Sequence, residues 1–241
     1  MKKADYNVLI AGTGVAGLCC ALNLPADMRV LMLTKAKADE SDSFLAQGGI
    51  CMLRGKDDYF GYFEDTVRAG HYENDPAAVR QMIESSPAMI EELVGYGVQF
   101  ARDENGNFRF TREGGHRRPR ILFHGDETGR EITKTLPAAV RRLPNVTIRE
   151  NAELVDILCE ENECFGGVVR DTSTGELTDV CADFTLLATG GVGGLFENST
   201  NFRHLTGDAL AMALLHNVQV EHLDYVQIHP TTFYSEEEGR R

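Results

Sequence analysis

Residues 7–33 read Asn7-Val8-Leu9-Ile10-Ala11-Gly12-Thr13-Gly14-Val15-Ala16-Gly17, then an apolar stretch to Leu24-Pro25, then Arg29-Val30-Leu31-Met32-Leu33. The run from Asn7 to Ala11 reads as a short buried strand, the glycine-rich hexapeptide as a turn, and Ala16 to Leu24 as a helix that stops before Pro25. Arg29 to Leu33 reads as a second strand. A βαβ opening requires helices on the faces of a parallel sheet, so the expected fold is α/β with a doubly wound, Rossmann-like sheet. Gly12, Gly14 and Gly17 form GxGxxG between strand and helix. There glycine permits a tight turn and close backbone approach, and the helix N-terminus attracts a pyrophosphate. A packing turn would use the same glycines for shape alone; the βαβ setting favours dinucleotide binding.

An NAD enzyme would carry an acid at the end of the second strand for a ribose hydroxyl, but the positions hold Thr34 and Lys35. Asp39 and Glu40 follow in a polar loop, where solvation accounts for them better than a ribose contact does. Beyond Gln47-Gly48-Gly49 two helical patterns are expected, the second opened by Asn74-Asp75-Pro76 and closed by Gly95 and Gly97. Val98 to Phe110 alternates around Asn105-Gly106 and predicts a hairpin with a type I′ turn. Thr128 to Arg142 is expected as helix and Val146 to Arg149 as strand. Glu153 to Val180 reads as three strands broken at Glu161-Asn162-Glu163 and Thr174-Gly175, an inserted β-meander. Phe184 to Ala188 is expected as another buried strand ending at Thr189-Gly190-Gly191, with a helix over Gly207 to His216. No repeat or linker interrupts the chain, so residues 1–241 are taken as one domain.

The chain has 241 residues, 42% hydrophobic and 25% charged, enough for one large or two small cores without disulfides. A net charge of −13 with no basic stripe argues against nucleic acid as a partner. No apolar run approaches the ~18–20 residues of a membrane span. Met1 to Asp5 lead straight into Val8-Leu9-Ile10, which leaves no room for a signal peptide and gives a cytoplasmic expectation. The six cysteines, at 19, 20, 51, 159, 164 and 181, include no CxxC pair and no metal-ligand spacing; they are expected as reduced, mostly buried thiols. Cations concentrate in one loop, at His116, Arg117, Arg118, Arg120 and His124. Guanidinium groups grip carboxylates bidentately, although a solvated basic loop has the same composition.

Seven segments occur in order: GTGVAG (12–17), LTK (33–35), SFLAQGGI (43–50), TREGGH (111–116), LLATGG (186–191), TGD (206–208) and QIHPT (227–231). Together they resemble the flavoprotein family of L-aspartate oxidases and the flavoprotein subunits of succinate dehydrogenase and fumarate reductase, across essentially the whole chain. The resemblance implies FAD, held by Gly12, Thr13, Gly14, Val15, Ala16, Gly17, Lys35, Ser43, Phe44, Leu45, Ala46, Gln47, Gly48, Gly49, Thr189, Gly190, Gly191 and Asp208. In the family a lysine commonly stands at the Lys35 position, which fits the missing acid. Succinate dehydrogenase flavoproteins carry a flavin-linking histidine where this chain has Phe44, so a non-covalent flavin is implied.

Glu113 resembles the aspartate oxidase glutamate that orients a substrate amino group, and His229 a carboxylate-binding histidine; both are the implied catalytic residues. A surface glutamate and a structural histidine are the plainer alternatives. His116, Arg117 and Arg118 are the implied substrate ligands. The implied reaction is FAD-dependent oxidation of L-aspartate to iminoaspartate with electrons passing to dioxygen or fumarate, feeding quinolinate and then NAD synthesis, with quinolinate synthase a candidate partner. A fumarate reductase or succinate dehydrogenase-type flavoprotein, or a non-catalytic FAD-binding module, are the rivals. Family members continue past the position of Arg241 into a capping domain that carries a catalytic arginine, so a truncated chain is expected.

Overall fold

The computed structural model describes residues 4–228. In chain order its elements are β1 (Tyr6–Ala11), α1 (Val15–Asn23), β2 (Val30–Leu33), α2 (Asp42–Leu45), β3 (Ile50–Cys51), α3 (Tyr59–Ala69), α4 (Pro76–Tyr96), β4 (Ile121–Leu122), α5 (Thr128–Val140), β5 (Val146–Arg149), β6 (Ala152–Glu160), β7 (Glu163–Asp171), β8 (Leu177–Leu187) and α6 (Asp208–Leu215). They fall into two compact units, residues 4–17, 24–40 and 145–228 in the first and residues 18–23 and 41–144 in the second.

The first unit is built on a six-stranded sheet ordered β5-β2-β1-β8-β7-β6. The strands β5, β2, β1 and β8 run parallel, with Ala11 opposite both Leu33 and Leu187. Strands buried on both faces need continuous apolar runs, and Val8–Ala11 and Val30–Leu33 supply them. The first helix stops at Asn23 with Leu24 extended ahead of Pro25, as the proline requires. The meander is present, but its third strand and the expected strand at Phe184 are one. The eleven residues of β8 pair antiparallel with β7 through Leu177–Cys181 and parallel with β1 through Ala182–Leu187. No turn residue separates the two halves, so the ladder runs through. That second half is not buried as expected: Phe184 and Leu187, on opposite faces of the strand, are 64% and 37% exposed.

In the second unit, α4 begins where Asp75 accepts from the amides of Ala77 and Ala78 at 2.7 and 3.4 Å, with Pro76 in the first turn. It ends at Gly97, whose φ of 109° is the left-handed cap that glycine adopts most readily. The turn at Asn105-Gly106 is a correction. Gly106 has φ 82° but Asn105 is not left-handed, and Gly106 N bonds Asp103 O while Asp103 N bonds Asn107 O. This is a type I turn followed by a left-handed glycine, not type I′. Asp103 causes it, since its carboxylate accepts from the amides of Asn105 and Asn107 at 2.9 Å each and so organises a type I geometry. The cysteine expectation is corrected as well: only Cys181 is buried, and Cys159 and Cys164 are exposed. Among the described residues no helix is long and apolar enough to cross a membrane.

Replacing Asp75 by Ala leaves the first amides of the 21-residue α4 without their cap. We expect a loss of about 1 kcal/mol in urea unfolding, with an unchanged denaturant slope.

Candidate functional site

The parallel register brings the ends of β1, β2 and β8 to one edge of the first unit's sheet. Ala188 N bonds Ala11 O at 2.8 Å, so the Gly12–Gly17 turn and the Thr189–Gly191 turn leave the sheet side by side. A Cβ on Gly12 would stand 2.1 Å from the Ala188 carbonyl oxygen, at φ 114°, and one on Gly17 would stand 2.1 Å from Gly12 O. The first turn of α1 then follows Gly14, an N-cap without a side chain, and contains no acidic residue. Bare amides at a helix start, with glycine allowing close approach, fit a pyrophosphate.

Two residues after β2, Lys35 Nζ donates to Asp208, Thr206 Oγ1 and the His204 carbonyl at 2.9, 2.8 and 3.0 Å, and lies 3.3 Å from Glu153 Oε1. Thr206 Oγ1 also donates to Asp208 at 2.7 Å, and Thr189 Oγ1 accepts from Ala209 N at 3.1 Å. Lys35 thus fixes the start of α6 against the sheet edge and is neutralised there by two carboxylates. Asp208 is not the cap of α6; Gly207 is.

In the second unit the segment Ser43–Gly49 is held by two glycine contacts. A Cβ on Gly129 would stand 2.2 Å from Ser43 O and 2.6 Å from Ala46 O, and Gly129 N donates to Ala46 O at 2.9 Å. A Cβ on Gly49 would stand 2.2 Å from Leu122 O. The backbone of this loop is therefore pinned to α5 and β4. Arg130 lies over the Phe44 ring at 5.6 Å. Beside Gly48 stands Glu113, whose Oε2 is 3.4 Å from where a Gly48 Cβ would lie. Glu113 is exposed, in a turn where its carbonyl accepts from His116 N at 3.3 Å.

The cationic loop closes on two carboxylates, Asp58 at the N-cap of α3 and Asp65 in its second turn. Arg120, fully buried, donates to both oxygens of Asp58 at 2.8 and 3.2 Å and to Asp65 at 2.8 Å. Asp65 also accepts from Arg117 Nε at 2.6 Å, Arg117 N at 2.9 Å and Arg68 at 3.2 Å. Burial raises the Asp65 carboxyl, but these donors outweigh it and bring it down to about 2. The Arg120 hydrogen bonds likewise hold Asp58 below the usual range. Arg120 Nη1 also lies 3.0 Å from His116 Nδ1. A guanidinium only donates, so Nδ1 must accept and Nε2 must carry the proton. That N–H faces Cys51 Sγ at 3.4 Å. Burial, and then the Arg120 charge, lower the pKa of His116 and keep the ring neutral. Burial raises the Cys51 thiol and the Tyr62 phenol nearby.

Of the loop's cations, His116, Arg117 and Arg120 thus share one network. Arg118 instead pairs with Asp57 at 3.1 Å on the surface, and His124 binds the Gln99 carbonyl at 2.7 Å. Gly12–Gly17, Lys35, Thr189–Gly191 and Asp208 belong to the first unit; Ser43–Gly49, Glu113, His116, Arg117 and Arg118 belong to the second. His229 lies outside the described residues. Sequence reasoning missed Asp58, Asp65 and Glu153. The seven-residue spacing of Asp58 and Asp65, two helical turns, was the available signal for the pair.

The sequence profile of a family described as FAD binding domain matches residues 7–241. L-aspartate oxidase of Clostridium perfringens is 43% identical over 233 residues, covering 97% of this chain and 52% of that protein. The L-aspartate oxidase of Clostridium acetobutylicum is 45% identical over 228 residues, covering 95% and 52%. Among solved structures, a quinol fumarate reductase of E. coli superposes with a TM-score of 0.84 at 26% identity, covering 88% of this chain and 37% of that one. The chain spans about half the length of the relatives it matches.

Gly12→Ala forces a side chain into the Ala188 carbonyl at a left-handed φ, and should cost about 2–3 kcal/mol in urea unfolding and abolish flavin carried through gel filtration. Asp65→Asn leaves Arg120 buried beside a neutral amide, for an expected loss of about 3–5 kcal/mol at pH 7. The folded carboxyl sits near 2 against an ordinary 3.8, so its stabilisation is complete above the ordinary value and fades as pH falls toward 2. The gap between parent and variant should therefore narrow from about pH 5 downward, measured by denaturation across that range.

Proposed function

Because the chain belongs to the FAD-binding domain family, we propose that it is the FAD-binding portion of an L-aspartate oxidase, which converts L-aspartate to iminoaspartate. The observation that carries this reading is the exposed carboxylate of Glu113 standing against Gly48 of the Ser43–Gly49 loop. An ammonium group gives that anion a partner; succinate and fumarate offer none. The 43–45% identity to L-aspartate oxidases supports the same choice over the fumarate reductase likeness at 26%.

The residues present fit FAD. The amides after Gly14 would hold the pyrophosphate, Thr189–Gly191 and Asp208 would line the same sheet edge, and Lys35 would keep Asp208 in place. Ser43–Gly49 are assigned to the flavin on the motif alone, and Phe44 offers no atom for a covalent flavin bond. FAD, when bound, supplies the acceptor for the two electrons removed from substrate. The chain's own part is positioning. Glu113 accepts hydrogen bonds from the substrate ammonium. His116, locked as the Nε2–H tautomer by Arg120, offers a neutral donor. Arg117 and Arg118 are both about half exposed and so keep guanidinium edges available for carboxylates. His229 is assigned to a substrate carboxylate on the motif alone. Release of iminoaspartate toward quinolinate formation, a cytoplasmic location and quinolinate synthase as partner belong to the same reading.

The test is anaerobic. In the FAD-loaded protein, L-aspartate should bleach the visible flavin band and succinate should not, and Glu113→Gln should raise the aspartate concentration for half-bleaching about tenfold while leaving the resting flavin spectrum unchanged. Bleaching by succinate alone would transfer the assignment to the fumarate reductase and succinate dehydrogenase type.

A further inference from the structure

The flavin reading leaves aside the tip of the β6–β7 hairpin, which carries two of the six cysteines. The strands are joined by Glu161-Asn162, both left-handed at φ 48° and 69°, which is the two-residue type I′ connection whose twist matches that of the strands. Glu160 and Glu163 form the pair flanking the turn, and Cys159 and Cys164 are directly opposite one step further in. In such a hairpin the pair flanking the turn is the hydrogen-bonded one, so Cys159 and Cys164 occupy a non-hydrogen-bonded position, where side chains approach most closely. Opposed Cα atoms there are about 4.5 Å apart, inside the range of about 4.4–6.8 Å that a disulfide spans. The thiol of Cys164 donates to the Gly166 carbonyl at 3.5 Å, and Cys159 stands across the ladder from it. Both residues are exposed. By contrast, Cys51 is half-buried against His116 in the site described above, and Cys181 is buried.

We propose that Cys159 and Cys164 form a reversible oxidation site, a surface dithiol that a hydroperoxide converts to a cross-strand disulfide. One thiolate attacks the peroxide oxygen, the O–O bond breaks and, with hydrogen peroxide, water leaves to give a sulfenic acid. The second thiol then displaces the sulfenic oxygen as water, forming the S–S bond. Two thiols and one hydrogen peroxide thus give one disulfide and two waters. Two equivalents of a low-molecular-weight thiol reverse the change and become a disulfide themselves. Neither step draws on the flavin or on the assignment of substrate.

The experiment is a thiol count on the whole chain treated with hydrogen peroxide, quenched with catalase, denatured and titrated with Ellman's reagent, beside a non-reducing peptide map. Titratable thiols should fall from six to four and return to six with dithiothreitol, and the map should contain one linked peptide joining Cys159 to Cys164. In Cys159→Ser and Cys164→Ser the linked peptide should vanish and the surviving thiol of the pair should be trapped by dimedone as the sulfenic acid. Six thiols after treatment, a link through Cys19, Cys20, Cys51 or Cys181, or passage of Cys159 or Cys164 to sulfinic acid without a link would overturn the proposal.

Discussion

Gly12 and Ala188 come so close that a single methyl group between them would overlap the carbonyl oxygen at 2.1 Å. That approach follows from β1 and β8 being parallel neighbours with their last residues in register, and it places two glycine-containing turns next to each other at the sheet's C-terminal edge. Everything assigned to nucleotide binding in the first unit hangs on this one pairing. Lys35 is reached from β2 on the other side of β1, and Asp208 from the helix that follows the second turn. The lysine sits where an acid serves NAD enzymes, and the adjacent charges make that understandable. With Asp208 and Glu153 already present, a third carboxylate would be repelled, whereas a cation joins them.

The second unit solves a different electrostatic problem. A guanidinium with no solvent exposure is tolerable only with its donors satisfied, and Arg120 meets that condition with two carboxylates and one imidazole. The arrangement decides the state of its neighbours: it removes the option of a charged His116 and keeps both aspartates ionised. A loop that looks like a generic basic patch in sequence is therefore two things, a closed internal network and a few guanidinium edges left at the surface.

Much of this was legible in advance, and the reasons are local. Pro25, Asp75-Pro76 and Gly97 mark helix ends because each restricts the backbone where it stands, and the apolar runs of β1 and β2 mark buried parallel strands. The failures arose where one residue's effect reached beyond its neighbours. The carboxylate of Asp103 chose the turn type at Asn105-Gly106, overriding the dipeptide's own preference. Polar residues at Thr178, Asp179 and Asp183 concealed that β8 is continuous, although the lack of any turn residue between them was a usable sign. In the site, the cations were evident but their partners were not: Arg117 and Arg120 meet Asp65 from 52 and 55 positions away, a pairing set by tertiary structure alone.

The same β1–β8 pairing has a temporal side. Asn7 and Asp183, bonded side chain to side chain, are 176 positions apart, and the whole of residues 41–144 lies between them in sequence. On a ribosome adding about 5–20 residues per second, β1 must wait roughly 10–35 s for its partner to be made. During that interval one edge of a short, apolar strand is unpaired, the condition that invites pairing with another chain. Pro144 is made 39 positions before Asp183, roughly 2–8 s earlier at the same rates. The order of synthesis therefore separates the molecule into an early half and a late half, and it gives the nascent chain a reason to be shielded until its last strand arrives.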